Sequence, residues 1–145
     1  MSENGALAII AGLGIVATIA IIAWYVLQVI AYWKIFTKAG RPGWKSIIPF
    51  LNIYEQYDLS WKGLYGILLI VFYIVGYWLI TPDNTILKIL GAILLIAALV
   101  LAIIGTHKLS KAFGHGVGFT LGLIFLSPIF MLILGFGKST YQGPQ

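Results

Sequence analysis

Four long runs of apolar residues constrain this chain more than any other feature of its sequence. The runs cover residues 6–33, 64–80, 86–106 and 117–136. A transmembrane α-helix needs about 20 mostly apolar residues, because lipid leaves every backbone polar group to be satisfied within the helix. The runs therefore predict an all-α integral membrane bundle with four transmembrane helices, in a single membrane domain over residues 1–145.

The composition supports lipid as the surrounding medium. Hydrophobic residues make up 61% of the 145 residues and charged residues 9%, whereas soluble domains have about 25% charged residues. So few charges cannot cover a surface that faces water. The N-terminus lacks the positive segment that opens a cleaved signal peptide, and the first apolar run is predicted to be a retained span.

The positive charges are concentrated in two of the three segments that connect the runs. The loops at about 34–62 and 107–116 hold seven of the nine lysines and arginines, and the other two are Lys88 and Lys138. Short cytoplasmic loops are enriched in lysine and arginine. We therefore expect both basic loops to be cytoplasmic, and both the N-terminus and the C-terminus to lie outside.

Part of the first basic loop has the periodicity of a helix. Trp44, Ile47, Ile48 and Leu51 fall on one face, and Pro49 within the pattern can start a helix or bend one. One interpretation is a short amphipathic helix in the headgroup region, with Trp44 as its anchor. The other is a half-buried connector that closes the bottom of the bundle.

A series of short motifs follows Lys34. They are Lys38-Ala-Gly, Gly43-Trp44, Pro49 with Asn52 and Tyr54, Lys108-Leu-Ser-Lys-Ala-Phe-Gly114, Gly118-Phe-Thr-Leu-Gly122, Pro128-Ile-Phe130, Gly135-Phe-Gly137 and Tyr141-Gln-Gly-Pro144. In order and spacing they resemble a family of small multipass bacterial membrane proteins of unknown function. A related segment is similar to the N-terminal membrane part of some long bacterial type I signal peptidases. The resemblance implies a bacterial cytoplasmic membrane location and a link to protein export.

Two groups of candidate site residues come from these loops and motifs. The first group is expected to contact lipid headgroups or a partner, and it comprises Lys38, Arg41, Trp44, Lys45, Lys108 and Lys111. The second group is expected to be structural, and it comprises Gly43, Pro49, Asn52, Tyr54, Gly114, Phe119, Gly122, Pro128 and Gly135. Ordinary positive-inside charge is the competing interpretation of the basic members of the first group.

The sequence offers little support for catalysis. The three serine–lysine pairs are Lys45-Ser46, Ser110-Lys111 and Lys138-Ser139. Neighbouring residues of a helix do not face each other, and the signal-peptidase resemblance covers only a non-catalytic membrane segment. The chain has no cysteine, and its two histidines, His107 and His115, flank lysines that would repel a metal ion. We therefore expect no catalytic residue, no metal, no cofactor and no nucleic-acid partner.

These observations favour a non-enzymatic interaction or scaffold module linked to protein export or the cell envelope. Its expected partners are the lipid bilayer, anionic lipid headgroups, and further copies of the chain or another membrane protein. The alternative is an oligomeric channel or carrier, suggested by small-residue pairs such as Gly118 with Gly122 and Ala98 with Ala102. A signal-peptidase-like enzyme is the weakest of the three hypotheses.

Overall fold

The computed structural model describes residues 2–145, which form six α-helices and one 3-10 helix and contain no β-strand. The α-helices are α1 (Glu3–Lys38), α2 (Leu51–Ser60), α3 (Gly63–Ile80), α4 (Thr85–Ala112), α5 (Val117–Phe125) and α6 (Ser127–Phe136). The 3-10 helix is Gly43–Ser46, between α1 and α2. The predicted all-α class is confirmed.

Within residues 2–145, three helices are long and apolar enough to cross a membrane, namely α1, α3 and α4. They contain the first three predicted spans. The 36 residues of α1 make it about 54 Å long at a rise of about 1.5 Å per residue. Because the hydrocarbon core of a bilayer is about 30 Å thick, α1 extends beyond it.

The fourth predicted span, residues 117–136, is not one helix. The backbone breaks at Leu126, with φ −127° and ψ 45°, and the helices on either side have 9 and 10 residues. Pro128 explains the break, because its fixed φ and missing N–H suit the first turn of a new helix and not a helix interior. Each half is about 15 Å long, roughly half the thickness of the hydrocarbon core.

The two halves form a hairpin, of which α5 is the arm that packs on α4. Near the start of α5, Thr120 Oγ1 lies 2.9 Å from His107 Nδ1 of α4. Just after α5 ends, Ser127 borders the same groove as Leu99. Leu99 lies about two turns before His107 on α4. The arm α5 therefore runs antiparallel to α4 and ends near the middle of that helix.

The second arm, α6, runs back alongside α1. At its start, Pro128 O accepts a hydrogen bond of 3.1 Å from Gln28 Nε2. At its end, Leu134 O and Gly137 O accept hydrogen bonds of 2.6 and 3.0 Å from Lys38 Nζ. Because α1 runs toward Lys38, α6 returns to the end of the bundle at which α5 began.

The C-terminal residues lie at the same end of the bundle as the two basic loops. The N–H of Gln142 donates to Ala112 O (2.7 Å), and that of Gln145 donates to Ser60 O (2.9 Å). This differs from the expectation that both termini lie opposite the basic loops, because that expectation assumed a fourth crossing. Lys138 joins the other seven basic residues, so eight of the nine lie at this end. We call it the basic end, defined by Lys34, Lys38, Arg41, Lys45, Lys62, Lys108, Lys111 and Lys138.

Buried side chains are concentrated toward the basic end. The core cluster comprises Ile35, Phe36, Leu59, Leu109, Ala112, Phe113, Leu123, Met131 and Leu134. By contrast, the most apolar 18-residue window of α1 has none of its residues buried. In a membrane, lipid covers such side chains. The basic end is therefore held together mainly by protein contacts, and α1 beyond it is surrounded mainly by lipid.

Candidate functional site

The chain reverses direction after α1 and packs back onto that helix. Gly40 has a φ of 75°, a conformation that favours glycine, and Arg41 N–H donates to Phe36 O at 2.9 Å. Together these are the features of a Schellman helix end. The 3-10 helix then packs against Trp33 so closely that a Cβ at Gly43 would overlap the indole ring. The segment that follows therefore lies near Trp33, a residue type typical of the membrane interface.

Several large apolar side chains of this segment are exposed. Trp44, Ile47, Ile48 and Phe50 are between 42% and 59% exposed, and we call them the apolar patch. Phe50 has φ 65° and ψ −46°, and Leu51 N–H donates to Pro49 O at 2.8 Å, which together form a γ-turn. A positive φ at a bulky residue costs about 1–3 kcal/mol. The surrounding contacts therefore hold Phe50 in an unfavourable backbone conformation with its ring exposed.

The predicted helix of the first basic loop is present as α2, but it begins later than the periodicity indicated. It starts at Leu51, after the γ-turn at Pro49 and Phe50. Trp44 belongs to the 3-10 helix before this turn. The apolar face expected on one helix is therefore divided between two short elements, because Pro49 interrupts the helix instead of bending it.

An ion-pair network fastens the reversed segment to α2. Arg41 Nη1 lies 2.6 Å from Glu55 Oε2 and 2.8 Å from Asp58 Oδ2, and Lys45 Nζ lies 3.0 Å from Glu55 Oε1. The side chain of Glu55 is only 6% exposed. Burial alone would raise the pKa of Glu55, but the hydrogen bonds from Arg41 and Lys45 outweigh burial and hold that pKa below its ordinary value. Two cations and two carboxylates therefore compensate one another here.

Two tyrosines of α2 pack it against the neighbouring helices. Tyr54 rests on Gly63, and Tyr57 rests on Gly105, where in each case a Cβ would overlap the ring. The hydroxyl of Tyr57 donates to Leu101 O at 3.0 Å. Burial raises the pKa of Tyr57 to about 12, so the hydroxyl keeps its proton and remains a donor. The sequence motifs included Tyr54 but missed Tyr57, which lies three residues later and hence on the same side of a helix.

The two ends of the hairpin are fastened to each other at the basic end. His115 Nε2, just before α5, lies 2.6 Å from Ser139 Oγ, just after α6. The ring of His115 stacks on Phe119 with centroids 4.0 Å apart, and Phe119 packs edge-on against Phe130 at 5.1 Å. Gly122 lies directly against the ring of Phe130. These contacts give the predicted structural residues Phe119 and Gly122 a packing role within the hairpin.

The C-terminal residues form a strap across the basic end. The hydroxyl of Tyr141 donates to Leu59 O, and burial raises the pKa of this tyrosine. Lys108 Nζ donates to Gln145 O at 3.0 Å and lies 5.6 Å from the ring centroid of Trp61. Gly114, with φ 80°, lies against the side chain of Gln142. The strap therefore ties α2 to the loop between α4 and α5.

Each serine of the three serine–lysine pairs has a partner other than its neighbouring lysine. The hydroxyls of Ser46 and Ser110 donate to the carbonyl groups of Gly43 and Gly116, at 2.7 and 2.9 Å. Ser139 pairs with His115, as described above. Among residues 2–145, no group of three or more histidine and carboxylate side chains is placed to hold a metal ion.

The predicted headgroup contacts have different surroundings in the structure. Arg41 and Lys45 pair with carboxylates. The other six cations of the basic end form no ion pair with a carboxylate side chain within residues 2–145. They are Lys34, Lys38, Lys62, Lys108, Lys111 and Lys138. That the first group contacts headgroups or a partner remains a prediction, and the pairing makes Arg41 and Lys45 its weaker members.

Comparison with known proteins identifies one family. The family described as "Family of unknown function (DUF5684)" matches residues 44–144, which is well over half of the chain. The match begins in the 3-10 helix and extends through the strap, while α1 lies outside it. No curated protein and no solved structure matches the chain.

Proposed function

This chain belongs to the DUF5684 family of unknown function, and we propose that it is a non-enzymatic interaction module of the membrane. In this proposal the basic end is a rigid, positively charged platform on which another membrane protein docks. The observation that carries the proposal is the convergence of both basic loops and the C-terminal strap into one hydrogen-bonded layer. The Arg41–Glu55 pair and the bond of Tyr141 to Leu59 O are two of its fastenings.

The apolar patch is the part of the platform best suited to a protein partner. Interfaces are dominated by a few aromatic and large apolar anchors surrounded by polar groups. Trp44 and Phe50 are such anchors, and the ion pairs of Arg41 and Lys45 lie beside them. Because the γ-turn and the ion pairs fix the segment in the free chain, docking has little further ordering cost.

The location that we propose is the bacterial cytoplasmic membrane, with the basic end in the cytoplasm. The bias of eight basic residues against one supports this orientation. The resemblance to the membrane segment of some signal peptidases supports a partner in protein export or the cell envelope. The assignment of the membrane and of its side depends on the resemblance and on the charge bias, whereas the packing of the platform depends on the hydrogen bonds and ion pairs described above.

Photo-crosslinking in native membranes tests the platform. A photoreactive amino acid is placed at Ile48 of the apolar patch and, as a matched control, at Ile86, an exposed isoleucine at the opposite end. We expect reproducible adducts with one or a few membrane proteins from position 48 and none from position 86. Equal adducts from both positions, or none from position 48, would contradict the proposal.

An oligomeric channel or carrier is the second candidate, and the hairpin is the observation that favours it. Non-helical backbone at membrane depth is tolerated where protein or a water-filled cavity surrounds it, and broken helices form the binding sites of many transporters. The break at Leu126 lies about halfway into the bundle. The test measures solute flux into liposomes that contain the purified protein. Flux that is abolished by a bulky substitution at Ser127 would favour this candidate.

A further inference from the structure

We infer that the groove between α1 and α6 binds one anionic phospholipid, with an acyl chain in the groove and the phosphate at Lys34, Lys38 and Lys138. The site is distinct from the apolar patch. The 3-10 helix packs against Trp33, whereas α6 packs against Ala31. These two residues of α1 are two positions apart and hence lie on nearly opposite faces of the helix. The inference therefore stands independently of the proposed protein partner.

The groove is apolar and opens sideways. It is a shallow, open depression with a volume of about 500 Å³, and it is lined by Leu27, Leu132, Ile133, Phe136 and Gly137. Three of these side chains are between 41% and 47% exposed, so the groove is accessible from the surrounding lipid.

The close approach of α6 to α1 shapes this groove. A Cβ at Gly135 would lie 2.6 Å from Ala31 O and 2.8 Å from Ala31 Cα. Because glycine lets the two backbones touch at this point, the larger side chains beside it border the groove. The sequence predicted Gly135 to be structural, and this contact is consistent with that role.

Lys34 and Lys38 meet where the groove reaches the basic end, and Lys138 follows Gly137 at the same place. Lys34 Nζ lies 4.9 Å from the ring centroid of Phe136, which is part of the groove wall. Lys38 Nζ donates to the carbonyl groups of Leu134 and Gly137, and Lys138 is the next residue along the chain. Lys34 and Lys38 are one helical turn apart and therefore share a face of α1.

The charges of these lysines have no internal counterpart. Within residues 2–145 none of the three forms an ion pair, because Glu55 and Asp58 at this end pair with Arg41 and Lys45. Like charges one turn apart repel each other. An ammonium group has three donors, of which Lys38 uses two on carbonyl groups. A phosphate oxygen would accept the remaining donor and relieve the repulsion.

The two parts of the site together select the ligand. The cationic mouth favours an anionic headgroup over a zwitterionic one, and the apolar groove favours a lipid over free phosphate. Each lysine near the membrane surface strengthens the attraction to anionic lipids by about fivefold. The loss of two lysines should therefore weaken binding by roughly tenfold or more.

The test measures lipid retention by native mass spectrometry on protein purified in detergent. The probes are phosphatidylglycerol, phosphatidylcholine of the same chain length, and inorganic phosphate alone. The variant Lys34→Gln with Lys138→Gln leaves the structural bonds of Lys38 intact. Its matched control, Lys62→Gln with Lys111→Gln, removes the same charge from the same end. A second variant, Ile133→Trp, fills the groove and keeps every lysine.

We expect the wild-type chain and the matched control to retain phosphatidylglycerol about equally, and the Lys34/Lys138 variant to retain it roughly tenfold less. Ile133→Trp should also lose the lipid. Equal retention of phosphatidylcholine, or an equal loss in the matched control, would reduce the effect to general surface charge and overturn the inference. If inorganic phosphate protected the chain against thermal unfolding as strongly as the lipid does, the groove would play no part in binding. That result would also overturn the inference.

Discussion

Glu55 is the residue on which the fastening of the first basic loop depends. It is almost fully buried and accepts hydrogen bonds from both Arg41 and Lys45. The sequence alone could not identify the partners of Glu55. They lie 10 and 14 residues earlier, and they reach Glu55 only because the chain reverses at Gly40.

This carboxylate should make stability depend on pH in the acidic range. The pKa of Glu55 is lower in the folded chain than the value of about 4.3 expected for an unfolded chain. The unfolded chain therefore binds the proton more tightly, and stability is lost as the pH falls through the folded pKa. We expect the midpoint of thermal unfolding in detergent to be constant from pH 7 to about 5 and to decrease below about pH 4.

Replacing Glu55 by Gln separates this contribution from those of other groups. The variant should be less stable than the wild type at pH 7 by about 1–3 kcal/mol, because it loses hydrogen bonds to two charged donors. The difference should vanish at acidic pH. Asp83→Asn is the control, since that carboxylate is fully exposed. An equal effect of both substitutions, or none for Glu55→Gln, would show that the network contributes no stability.

The glycines show which contacts the sequence could indicate and which it could not. The pair Gly118 and Gly122 suggested close helix packing within the chain or in an oligomer, and within the described chain a Cβ at Gly118 would meet nothing within 4 Å. Helices α3 and α4 are instead brought together by Gly76 and Gly91, where a Cβ at Gly91 would lie 2.7 Å from Gly76 O. Spacing alone could not identify them, because the two residues are on different helices and neither has a second small residue four positions away.

Among the helices, the length of the apolar run predicted α1, α3 and α4 but did not predict that the fourth run forms two short helices. The runs of α1, α3 and α4 each fit one crossing. The run at 117–136 has a comparable length. However, a single crossing helix and a hairpin of two half-length helices need about the same number of apolar residues. Pro128, which was expected to be structural, indicated an irregularity within this run. Lys138 was the other indication, since a fourth crossing leaves it on the side poor in positive charge.

The contact between α1 and α6 gives a prediction for Gly135→Ala. The added Cβ would meet backbone atoms of Ala31, which cannot rotate away as a side chain can. The helices must move apart, and we expect a loss of about 1–3 kcal/mol in the free energy of unfolding. Gly14→Ala in α1 is the matched control, because nothing lies within 4 Å of that position. Unfolding in a mixed-detergent titration would measure both, and equal stability of the two variants would argue against the contact.

At the scale of the whole molecule, the bundle is closed at one end and open at the other. The hairpin fills the space between α1 and α4 only near the basic end. Beyond its tip, among the described residues, α1 has no substantial contact with α3 or α4. The platform is therefore built by packing, and the part of α1 near the opposite end contacts mainly lipid.

The side of the membrane on which the C-terminal strap lies can be measured by cysteine labelling, which tests the hairpin and the platform most directly. The chain has no cysteine, so single cysteines at Thr140, Lys111 and Asp83 can each be labelled with a membrane-impermeant maleimide in sealed vesicles of one orientation. The hairpin predicts that positions 140 and 111 react from the same side and that position 83 reacts from the other. Reaction of position 140 from the side of position 83 would establish a fourth crossing and contradict the platform.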